Sequence, residues 1–377
     1  MKHKCQYFKR CGGCSLQHIS YKDQLENKKN NLASKIKVDP GIIDVFSDEM
    51  YFYRNRMDLV FHPNGVGFRE KGKWWKIVDV ESCVISNVAL NTQLDEIRHF
   101  FTNPDSFDLK KQTGTFRYAV IRTPRFSTSI SFVLNSESSK INEAVEKIKE
   151  FAMISTAENI IVTYVPPNTD MSISSDFFVV KGKDVLMEKF LGNEFVFSVQ
   201  GFFQNNSVMA EKMQEYVKNL FDDYETSDGI LLDLYAGVGT FGIVNAEFFK
   251  KVFIVESVKE CIDAANENIK LNKVMDCNAM VMDAKQINKL DKELGITGGS
   301  GKLYAVVDPP RSGMHPKTIQ YLNAFNPEMV VYISCNVDQL GKDLPKFSEY
   351  RVNKVALFDL FPQTNHSEAI VELVKIN

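Results

Sequence analysis

The sequence lacks several features that would identify its class directly. None of its apolar runs approaches the about 18 residues that a membrane-crossing helix needs, and no apolar segment resembling a secretion signal follows the first residues. Charge of one sign is not in excess either, since 45 Lys and Arg face 48 Asp and Glu, for a net charge of −3. Any surface for a polyanion must therefore be local, on basic segments such as 22–37, 54–76 and 110–125. We expect a cytoplasmic globular protein whose 377 residues form two or three domains.

A disulfide framework is also missing, because the seven cysteines are an odd number in a long chain expected in a reducing compartment. Three of them, Cys5, Cys11 and Cys14, lie within the first fourteen residues, which is typical of a metal site. The Cys-x2-Cys spacing suits tetrahedral zinc and an iron–sulfur cluster alike, and taken alone it favours zinc. The spacing of five and then two residues is not the Cys-x3-Cys-x2-Cys of radical S-adenosylmethionine enzymes.

The periodicity changes near residue 197 and divides the chain. Before this point, alternating segments with Gly-containing turns predict β-hairpins and an α+β domain rich in antiparallel strands, with one helix. The predicted strands are 53–62, 66–80, 115–122, 128–133 and 159–164, and the predicted helix is 141–153. After it, short apolar strands alternate with helices, which predicts a doubly wound, mostly parallel α/β sheet. The predicted strands there are 229–235, 251–255, 279–282, 303–307, 330–334, 352–358 and 369–374, and the helices are 208–221 and 260–271.

Residues at the carboxyl ends of these later strands indicate a nucleoside-bearing ligand. Gly237-Val238-Gly239-Thr240 forms the first strand-to-helix turn, where glycines permit close approach and a helix start offers free N–H groups. Glu256 ends the second strand and could bind a ribose diol, and Asp283 ends the third and could reach an adenine amino group. Each could equally serve as a helix N-cap, but their occurrence at three successive strand ends favours a cofactor site.

Two further strand ends carry groups suited to covalent chemistry. Asp308-Pro309-Pro310-Arg311 follows one strand, and Cys335 follows the next. A cytosolic cysteine is often apolar filler, yet its place opposite the cofactor turn favours a nucleophile. Near the C-terminus, His366 and Glu368 offer an imidazole and a carboxylate, and one of them is a candidate base.

Together these motifs resemble the RNA 5-methyluridine methyltransferase family, which has tRNA-modifying and 23S rRNA-modifying branches. The resemblance implies that Cys335 adds to uracil C6, that Glu368 removes the C5 proton, and that Asp308 and Arg311 assist. It also implies S-adenosylmethionine as cofactor, in contact with Gln204, Tyr235, Thr240, Glu256, Asp283 and Asp308. The motifs that carry it are Phe202-Phe203-Gln204-Asn205-Asn206, Leu232-Asp233-Leu234-Tyr235-Ala236-Gly237, Asp308-Pro309-Pro310-Arg311, Ser334-Cys335-Asn336 and Phe361-Pro362-x-Thr364-x-His366-x-Glu368.

The resemblance extends to the N-terminal cysteines and to the domain plan. It implies a [4Fe–4S] cluster held by Cys5, Cys11, Cys14 and Cys83, with zinc as the alternative. The expected domains are a cluster segment with β-hairpins (1–90), a central α+β RNA-binding domain (91–197) and a Rossmann-like methyltransferase domain (198–377). The form expected is compact, without the small N-terminal RNA-binding barrel of some relatives, and monomeric, with no obligate protein partner and no membrane contact.

The RNA target is expected to be 23S rRNA, with tRNA as the alternative. Val337 departs from the proline that many members carry after Ser-Cys-Asn, which we interpret as a mark of a subgroup. Two other functions stay open on the residues alone. An N-methyltransferase also uses Asp-Pro-Pro, but typically with an aromatic residue where this chain has Arg311. An inactive RNA-binding iron–sulfur protein would leave Cys335 and Glu368 without a purpose.

Overall fold

The computed structural model describes residues 5–294 and 302–376. Its strands are β1 (Ile43–Phe46), β2 (Arg56–His62), β3 (Gly65–Glu70), β4 (Lys73–Asp79), β5 (Phe116–Arg122), β6 (Ser129–Asn135), β7 (Asn159–Val165), β8 (Phe177–Lys181), β9 (Val185–Phe190), β10 (Asn193–Ser198), β11 (Ile230–Leu234), β12 (Lys251–Glu256), β13 (Cys277–Val281), β14 (Leu303–Val307), β15 (Met329–Ser334), β16 (Tyr350–Phe358) and β17 (Glu368–Lys375). Its α-helices are α1 (Tyr21–Ile36), α2 (Val88–Phe100), α3 (Ile141–Ile154), α4 (Ser207–Phe221), α5 (Thr240–Val244), α6 (Lys259–Leu271), α7 (Pro316–Phe325) and α8 (Val337–Asp343). Among these described residues, no helix combines the length and the apolar character needed to cross a membrane.

The larger sheet has eight strands in the order β1-β16-β17-β15-β14-β11-β12-β13. Strands β11 to β15 pair in parallel, and β17 runs antiparallel to both β15 and β16. Successive residues of β14 face opposite sides: Val306 packs in one core with α4, and Val307 packs in another with α7. Both faces are therefore buried under helices, which explains the almost unbroken apolar runs of these strands. The predicted α/β fold is confirmed.

The N-terminal part of the chain contributes to this same sheet. Strand β1 pairs in parallel with β16, at its edge. Helix α1 buries Leu32 and Ile36 in the core on the α7 side. It lies so close to α8 that a Cβ added at Gly341 would come within 2.4 Å of the Lys35 carbonyl oxygen. Residues 21–46 thus reach across to a sheet whose other strands begin at residue 230.

The second sheet has seven strands in the order β4-β3-β2-β5-β6-β7-β8. Its neighbours are antiparallel except β6 and β7, which are parallel and are joined through α3. Helices α2 and α3 cover one face with Leu94, Ile97, Ile148 and Phe151. The pairing of β2 with β5 runs across residue 90, so strands on both sides of that expected domain boundary form one sheet. The domain limits themselves stay a prediction.

A hairpin of β9 and β10 connects the two sheets. Asn268 of α6 and Asn272, which caps the C-terminus of α6, bond to the edge of β10. Val196 N–H donates to Asn268 Oδ1 (2.7 Å), and Glu194 N–H donates to Asn272 Oδ1 (2.8 Å). These bonds satisfy backbone groups that the two-stranded hairpin leaves unpaired. They also fix the segment that follows β10, which carries Gln204, against the larger sheet.

Candidate active site and cofactor crevice

A glycine turn opens a crevice at the carboxyl end of β11. Gly237 and Gly239 have φ of 55° and 84°, values that favour glycine, and α5 begins directly after them at Thr240. A Cβ at Gly239 would come within 2.9 Å of Ile254 Cδ1, so the turn packs tightly against β12. At Gly237, by contrast, nothing lies within 4 Å of the added Cβ. The loop therefore leaves an open cradle that a ligand can approach.

The crevice brings together four of the residues predicted to contact a cofactor: Gln204, Tyr235, Thr240 and Asp308. The remaining lining is largely apolar and comes from the end of β9, the segment before α4, α4 itself, the glycine turn and α5. These residues are Phe190, Phe202, Phe203, Ala210, Met213, Gln214, Ala236, Gly237, Val238 and Phe241. An apolar cleft with a few convergent polar groups is the usual form of a small-molecule site.

Glu256 and Asp283 lie beside this crevice rather than in its lining. Glu256 ends β12, and its carboxylate accepts hydrogen bonds from the backbone N–H groups of Gly237 (3.2 Å) and Val258 (3.0 Å). Asp283 pairs with the Lys285 ammonium at 2.8 Å, and this bond holds the pKa of Asp283 below its ordinary value. Glu256 is thus tied to the glycine turn, whereas Asp283 is partly neutralised by its neighbour.

Sequence reasoning missed Gln214, a buried side chain in the crevice wall that is only 3% exposed. Its Nε2 donates to Thr240 Oγ1 at 3.1 Å, and its Oε1 has no partner among the described residues. A buried acceptor without a partner is costly unless a ligand or water supplies a donor. The signal was present in the sequence, because Gln214 interrupts the apolar stripe of α4 formed by Met209, Met213 and Val217.

The strand register places Cys335 next to Glu368. Strands β15 and β17 are antiparallel with Ser334 opposite Ala369, so Cys335 leaves one strand where Glu368 enters the other. Asp308 follows the neighbouring β14, and its N–H donates to the Leu234 carbonyl at 3.2 Å. This bond links the Asp-Pro-Pro turn to the strand that carries the glycine loop.

Arg311 is positioned through its backbone. The Asn336 Nδ2 donates to the Arg311 carbonyl at 2.8 Å, which joins the Asp-Pro-Pro-Arg turn to the residue after Cys335. The Arg311 side chain is exposed, and its charge acts on Cys335 and Glu368. All four residues predicted to be catalytic therefore lie on the side of the sheet where the parallel strands β11, β14 and β15 end.

Burial and the charges within this group raise the pKa values of Cys335, Asp308 and Glu368. Burial, with the charges of Glu368 and Asp308, raises the pKa of the Cys335 thiol to about 11, and only Arg311 among the nearby side chains opposes this. Burial raises the pKa of Asp308 to about 7 and that of Glu368 well above its ordinary range. Before a substrate binds, Cys335 is thus a neutral thiol beside two weakly acidic carboxyls. Such a group can accept or release protons near neutral pH.

His366, the other candidate base, lies in a less favourable place. Its side chain is exposed, and its ring meets Phe361 edge to face with centroids 6.2 Å apart. Partial burial and three cations (Arg311, Lys28 and Arg54) lower the pKa of its imidazole. The structure does not bring His366 into the register position opposite Cys335, which Glu368 occupies.

The loop that precedes Glu368 is held by α1. The Lys28 ammonium contacts Asp359 Oδ1 at 2.6 Å with both side chains buried, and Tyr21 Oη donates to the other carboxylate oxygen. Gln24 exchanges hydrogen bonds with Gln363, through the side-chain amide and the backbone N–H. The N-terminal helix therefore fixes the loop that leads into Glu368, a role that the sequence did not reveal.

The four N-terminal cysteines line one cavity of about 680 Å³ against the second sheet. Cys5, Cys11 and Cys14 have raised thiol pKa values, mainly through burial, and the charge of Cys83 contributes to each. Four partly buried cysteines in one cavity, three of them with raised thiol pKa values, are the kind of donor set that a thiophilic metal would stabilise. However, within residues 5–294 and 302–376 no three His, Cys, Asp or Glu side chains are drawn together closely enough to hold a metal ion.

Comparison with known proteins identifies the family. The tRNA (uracil-5-)-methyltransferase family model matches residues 20–376. The chain belongs to this family. It is 34% identical to the tRNA (uracil(54)-C(5))-methyltransferase of Pyrococcus horikoshii, over 98% of this chain and 85% of that protein. It is 32% identical to an uncharacterized RNA methyltransferase of Caldanaerobacter subterraneus, over 98% of this chain and 84% of that protein.

A solved structure agrees with these relatives. The Pyrococcus abyssi tRNA (uracil-54, C5)-methyltransferase in complex with S-adenosyl-L-homocysteine superposes with a TM-score of 0.78 at 28% identity. The match covers 96% of this chain and 86% of that one. The predicted family is confirmed, and so is the enzyme class, an S-adenosylmethionine-dependent RNA (uracil-C5) methyltransferase. The expected preference for 23S rRNA is not supported: the relatives with a stated target are tRNA enzymes, so the comparisons favour the tRNA alternative. They give no support for a [4Fe–4S] cluster, which stays a prediction.

Proposed function

We propose that this protein methylates C5 of a uridine in tRNA through a covalent adduct between Cys335 and uracil C6. The observation that carries the proposal is the register of β15 and β17, which sets a thiol beside a buried carboxyl at the edge of the cofactor crevice. Uracil C5 is a weak nucleophile, and addition of a thiolate at C6 is the way to raise its electron density. The N-methyltransferase alternative gives this pair no task.

The side chains take the following parts. Cys335 Sγ forms a bond to C6, and the C5–C6 π electrons move to give an enolate. Bound S-adenosylmethionine supplies the electrophilic methyl group that C5 acquires. The Glu368 carboxylate removes the C5 proton, and the Sγ–C6 bond then breaks to restore the ring double bond. Arg311 stabilises negative charge on Sγ, consistent with its lowering of the thiol pKa.

The two weakly acidic carboxyls suit these steps. Cys335 must lose its proton to solvent before it attacks. Glu368 must be ionised when it takes the C5 proton, and it releases that proton to solvent before the next turnover. Because burial raises the pKa of Glu368, its carboxylate is a stronger base than an exposed one. Asp308 lines the cofactor crevice and lies one strand from Cys335, so we assign it to orienting the uracil near the reacting methyl group.

The crevice fits S-adenosylmethionine in its chemistry. The open cradle at Gly237 admits a close ligand, and the unpartnered Gln214 Oε1 offers an acceptor. Gln204, Tyr235, Thr240 and Asp308 would contact the cofactor directly. Glu256 would accept from the ribose hydroxyls while it holds the turn, and Asp283 would lie toward the adenine.

We also propose that Cys5, Cys11, Cys14 and Cys83 hold a [4Fe–4S] cluster rather than zinc. The support is their common cavity, together with the burial and the neighbouring cysteine charges that raise the pKa of the Cys14 thiol, an effect that a bound cation would relieve. The cluster would have a structural role, because methyl transfer requires no electron. Absorption near 400 nm that disappears on oxidation, with four iron atoms per chain, would distinguish it from a single zinc ion.

The tRNA target rests on the relatives, whose names specify uracil 54. The test is to incubate the purified enzyme with methyl-labelled S-adenosylmethionine and separate tRNA and 23S rRNA transcripts, then to digest the RNA to nucleosides. We expect label in 5-methyluridine from tRNA, and none with Cys335→Ala. Label from 23S rRNA alone would support the rRNA target instead, and label in another nucleoside would contradict the mechanism.

A further inference from the structure

The protein has only two tryptophans, Trp74 and Trp75, and both are exposed on β4. Their exposed fractions are 56% and 45%, and their rings meet edge to face with centroids 5.9 Å apart. Strand β4 is an edge of the seven-stranded sheet, where large apolar side chains invite unwanted association. Two adjacent exposed tryptophans on an edge strand therefore indicate a binding surface.

A distortion of the strand presents these rings. Arg69 pairs with Ile77, but the next residue of β3, Glu70, pairs with Lys73. The three residues of β4 between these two pairs, 74–76, have no pairing partner on β3 and form a bulge. The Arg69 guanidinium donates to the Trp74 carbonyl at 2.7 Å and so holds the bulge in place. Bulges re-aim side chains, and this one turns both rings outward.

The surroundings of the rings are basic. Lys110 lies over the Trp75 ring, with its Nζ 5.5 Å from the ring centroid. Lys71, Lys76 and Lys110 are exposed and form no ion pair with any residue that the structure describes. Two carboxylates of the same segments are already engaged, because Glu70 pairs with Lys73 at 3.0 Å and Asp108 lies 3.9 Å from Lys111. Such cations around exposed aromatic faces are complementary to unpaired nucleotides: bases stack and phosphates pair.

This surface is continuous with the catalytic edge. Arg69, which holds the bulge, also lines the 680 Å³ cavity. Arg54, Arg56 and Asn205 line the same cavity, and Asn205 is the residue after Gln204 of the cofactor crevice. An RNA strand that extends from the crevice to the tryptophans would pass over this cavity, whose cysteines are the proposed cluster ligands and whose Arg56 and Arg69 are already paired with Asp58 and Asp170.

We propose that Trp74 and Trp75, with Lys71, Lys76 and Lys110, form a stacking platform for an unpaired nucleotide of the substrate RNA outside the reacting uridine. We call these five residues the tryptophan platform. The inference rests on the proposed function, in that the RNA is taken to be the enzyme's substrate. It assigns to the edge of the second sheet a role in holding RNA, separate from the chemistry at Cys335.

Intrinsic fluorescence provides a direct test, since both tryptophans of the protein lie in the platform. Titration of the full-length protein with single-stranded oligouridylate is expected to quench its emission, and an RNA duplex of equal length is expected to quench it less. The double variant Trp74→Phe/Trp75→Phe keeps stacking, and Trp74→Ala/Trp75→Ala removes it. We expect the alanine variant to raise KM for tRNA by roughly 5-fold or more at unchanged kcat, while the phenylalanine variant stays near wild type.

Two controls separate stacking from charge and from folding. Lys76→Ala should reduce the slope of log affinity against log salt by about one for each phosphate that the lysine neutralises in the wild-type complex, with little effect on fluorescence quenching. Met153→Ala removes another exposed apolar side chain, 86% exposed on α3, and should leave KM unchanged. Equal thermal unfolding midpoints for all variants show that the fold is intact.

The outcomes distinguish this inference from the proposed function. Absence of quenching by any RNA, or an alanine variant with the KM of wild type, would overturn the platform. Quenching by anionic phospholipid vesicles but not by RNA would overturn it in favour of a membrane surface. Quenching by oligouridylate in an enzyme that fails to methylate tRNA would refute the tRNA target and leave the platform standing.

Discussion

Replacement of Glu368 by glutamine tests both the assigned base and the electrostatics of the site. The substitution keeps the size of the side chain, which is 6% exposed, and removes its ability to accept the C5 proton. A positioned general base typically contributes about 10²- to 10⁴-fold to a rate. We therefore expect kcat to fall by that factor, or about 3–5 kcal/mol in activation free energy.

In Glu368→Gln the reaction should stop before the C5 proton is removed, so the covalent enzyme–RNA adduct should accumulate. In Glu368→Gln, Cys335 can still attack C6 and C5 can still acquire the methyl group, but the C5 proton stays in place. The Sγ–C6 bond then cannot break by elimination, so methylated RNA stays attached to the protein. A denaturing gel should show a labelled protein–RNA band approaching one methyl group per chain, and the band should be missing in Cys335→Ala/Glu368→Gln.

The same variant should make the free thiol more reactive. Since the charge of Glu368 contributes to the raised pKa of Cys335, its removal should lower that pKa. A lower thiol pKa raises the thiolate fraction at any pH below that pKa, so alkylation by iodoacetamide should be faster than in wild type. The measurement is the alkylation rate between pH 7 and pH 10, followed on the peptide that contains Cys335.

A matched control lies on the same strand. Glu372 is also buried on β17, but it accepts hydrogen bonds from Tyr224 Oη and Asn353 Nδ2, both at 2.7 Å, away from Cys335. Glu372→Gln should leave both turnover and thiol reactivity near wild type. Turnover of Glu368→Gln within about threefold of wild type would refute Glu368 as the base, and slower alkylation of Cys335 would refute the electrostatic argument.

Three further predictions concern groups that hold the site together. Burial raises the pKa of Asp233 to about 8, above its value in the unfolded chain, so its contribution to stability is full at pH 4 and is lost as the pH rises to 8. The melting temperature of Asp233→Asn should therefore rise relative to that of wild type between pH 5 and pH 8. A difference in melting temperature that does not change with pH would contradict this. Gln214→Leu should weaken S-adenosylmethionine binding by about 1–2 kcal/mol in calorimetry, because it removes the hydrogen bond to Thr240 and the unpaired acceptor Oε1. Gln93 is also a buried glutamine, but it lies on α2, and Gln93→Leu should have no effect on binding. Lys28→Met should lower the free energy of unfolding in urea by about 3–5 kcal/mol, since it leaves Asp359 buried without its cation. The double variant Lys28→Met/Asp359→Leu should recover part of this loss. A Lys28→Met variant as stable as wild type would show that α1 does not anchor the loop.

Local patterns predicted most secondary structure elements closely. The helix expected over 141–153 is α3 at Ile141–Ile154, and the strand expected over 303–307 is β14 at Leu303–Val307. These elements are set by apolar periodicity over a few residues, which the sequence displays directly. The strand expected over 53–62 begins later, at Arg56, because Tyr53 instead donates from its hydroxyl to the Pro362 carbonyl in another part of the fold.

Part of the active site was also accessible from sequence. In a doubly wound sheet, strand ends meet at one edge, so the strand pattern alone predicts that Asp308 and Cys335 lie near the glycine turn. The residues alone left the choice between His366 and Glu368 open, and only the family resemblance favoured Glu368. The register of an antiparallel strand inserted into a parallel sheet is what places Glu368, and not His366, opposite Cys335. Gln214 was missed for a related reason: a polar residue in a buried helix stripe acquires meaning only when its neighbour, Thr240, is known.

The sequence by itself indicated the strand–helix alternation, the glycine turn, the candidate nucleophile and the family, because these depend on residues close together in the chain or on motifs in a fixed order. Only the tertiary structure decided that β1 and α1 complete the C-terminal sheet, and that one seven-stranded sheet runs across residue 90. It alone also placed the bulge of residues 74–76 at an exposed edge. Which distant segments pair depends on which buried surfaces fit together across the whole chain, and local strand and helix propensities do not determine this pairing.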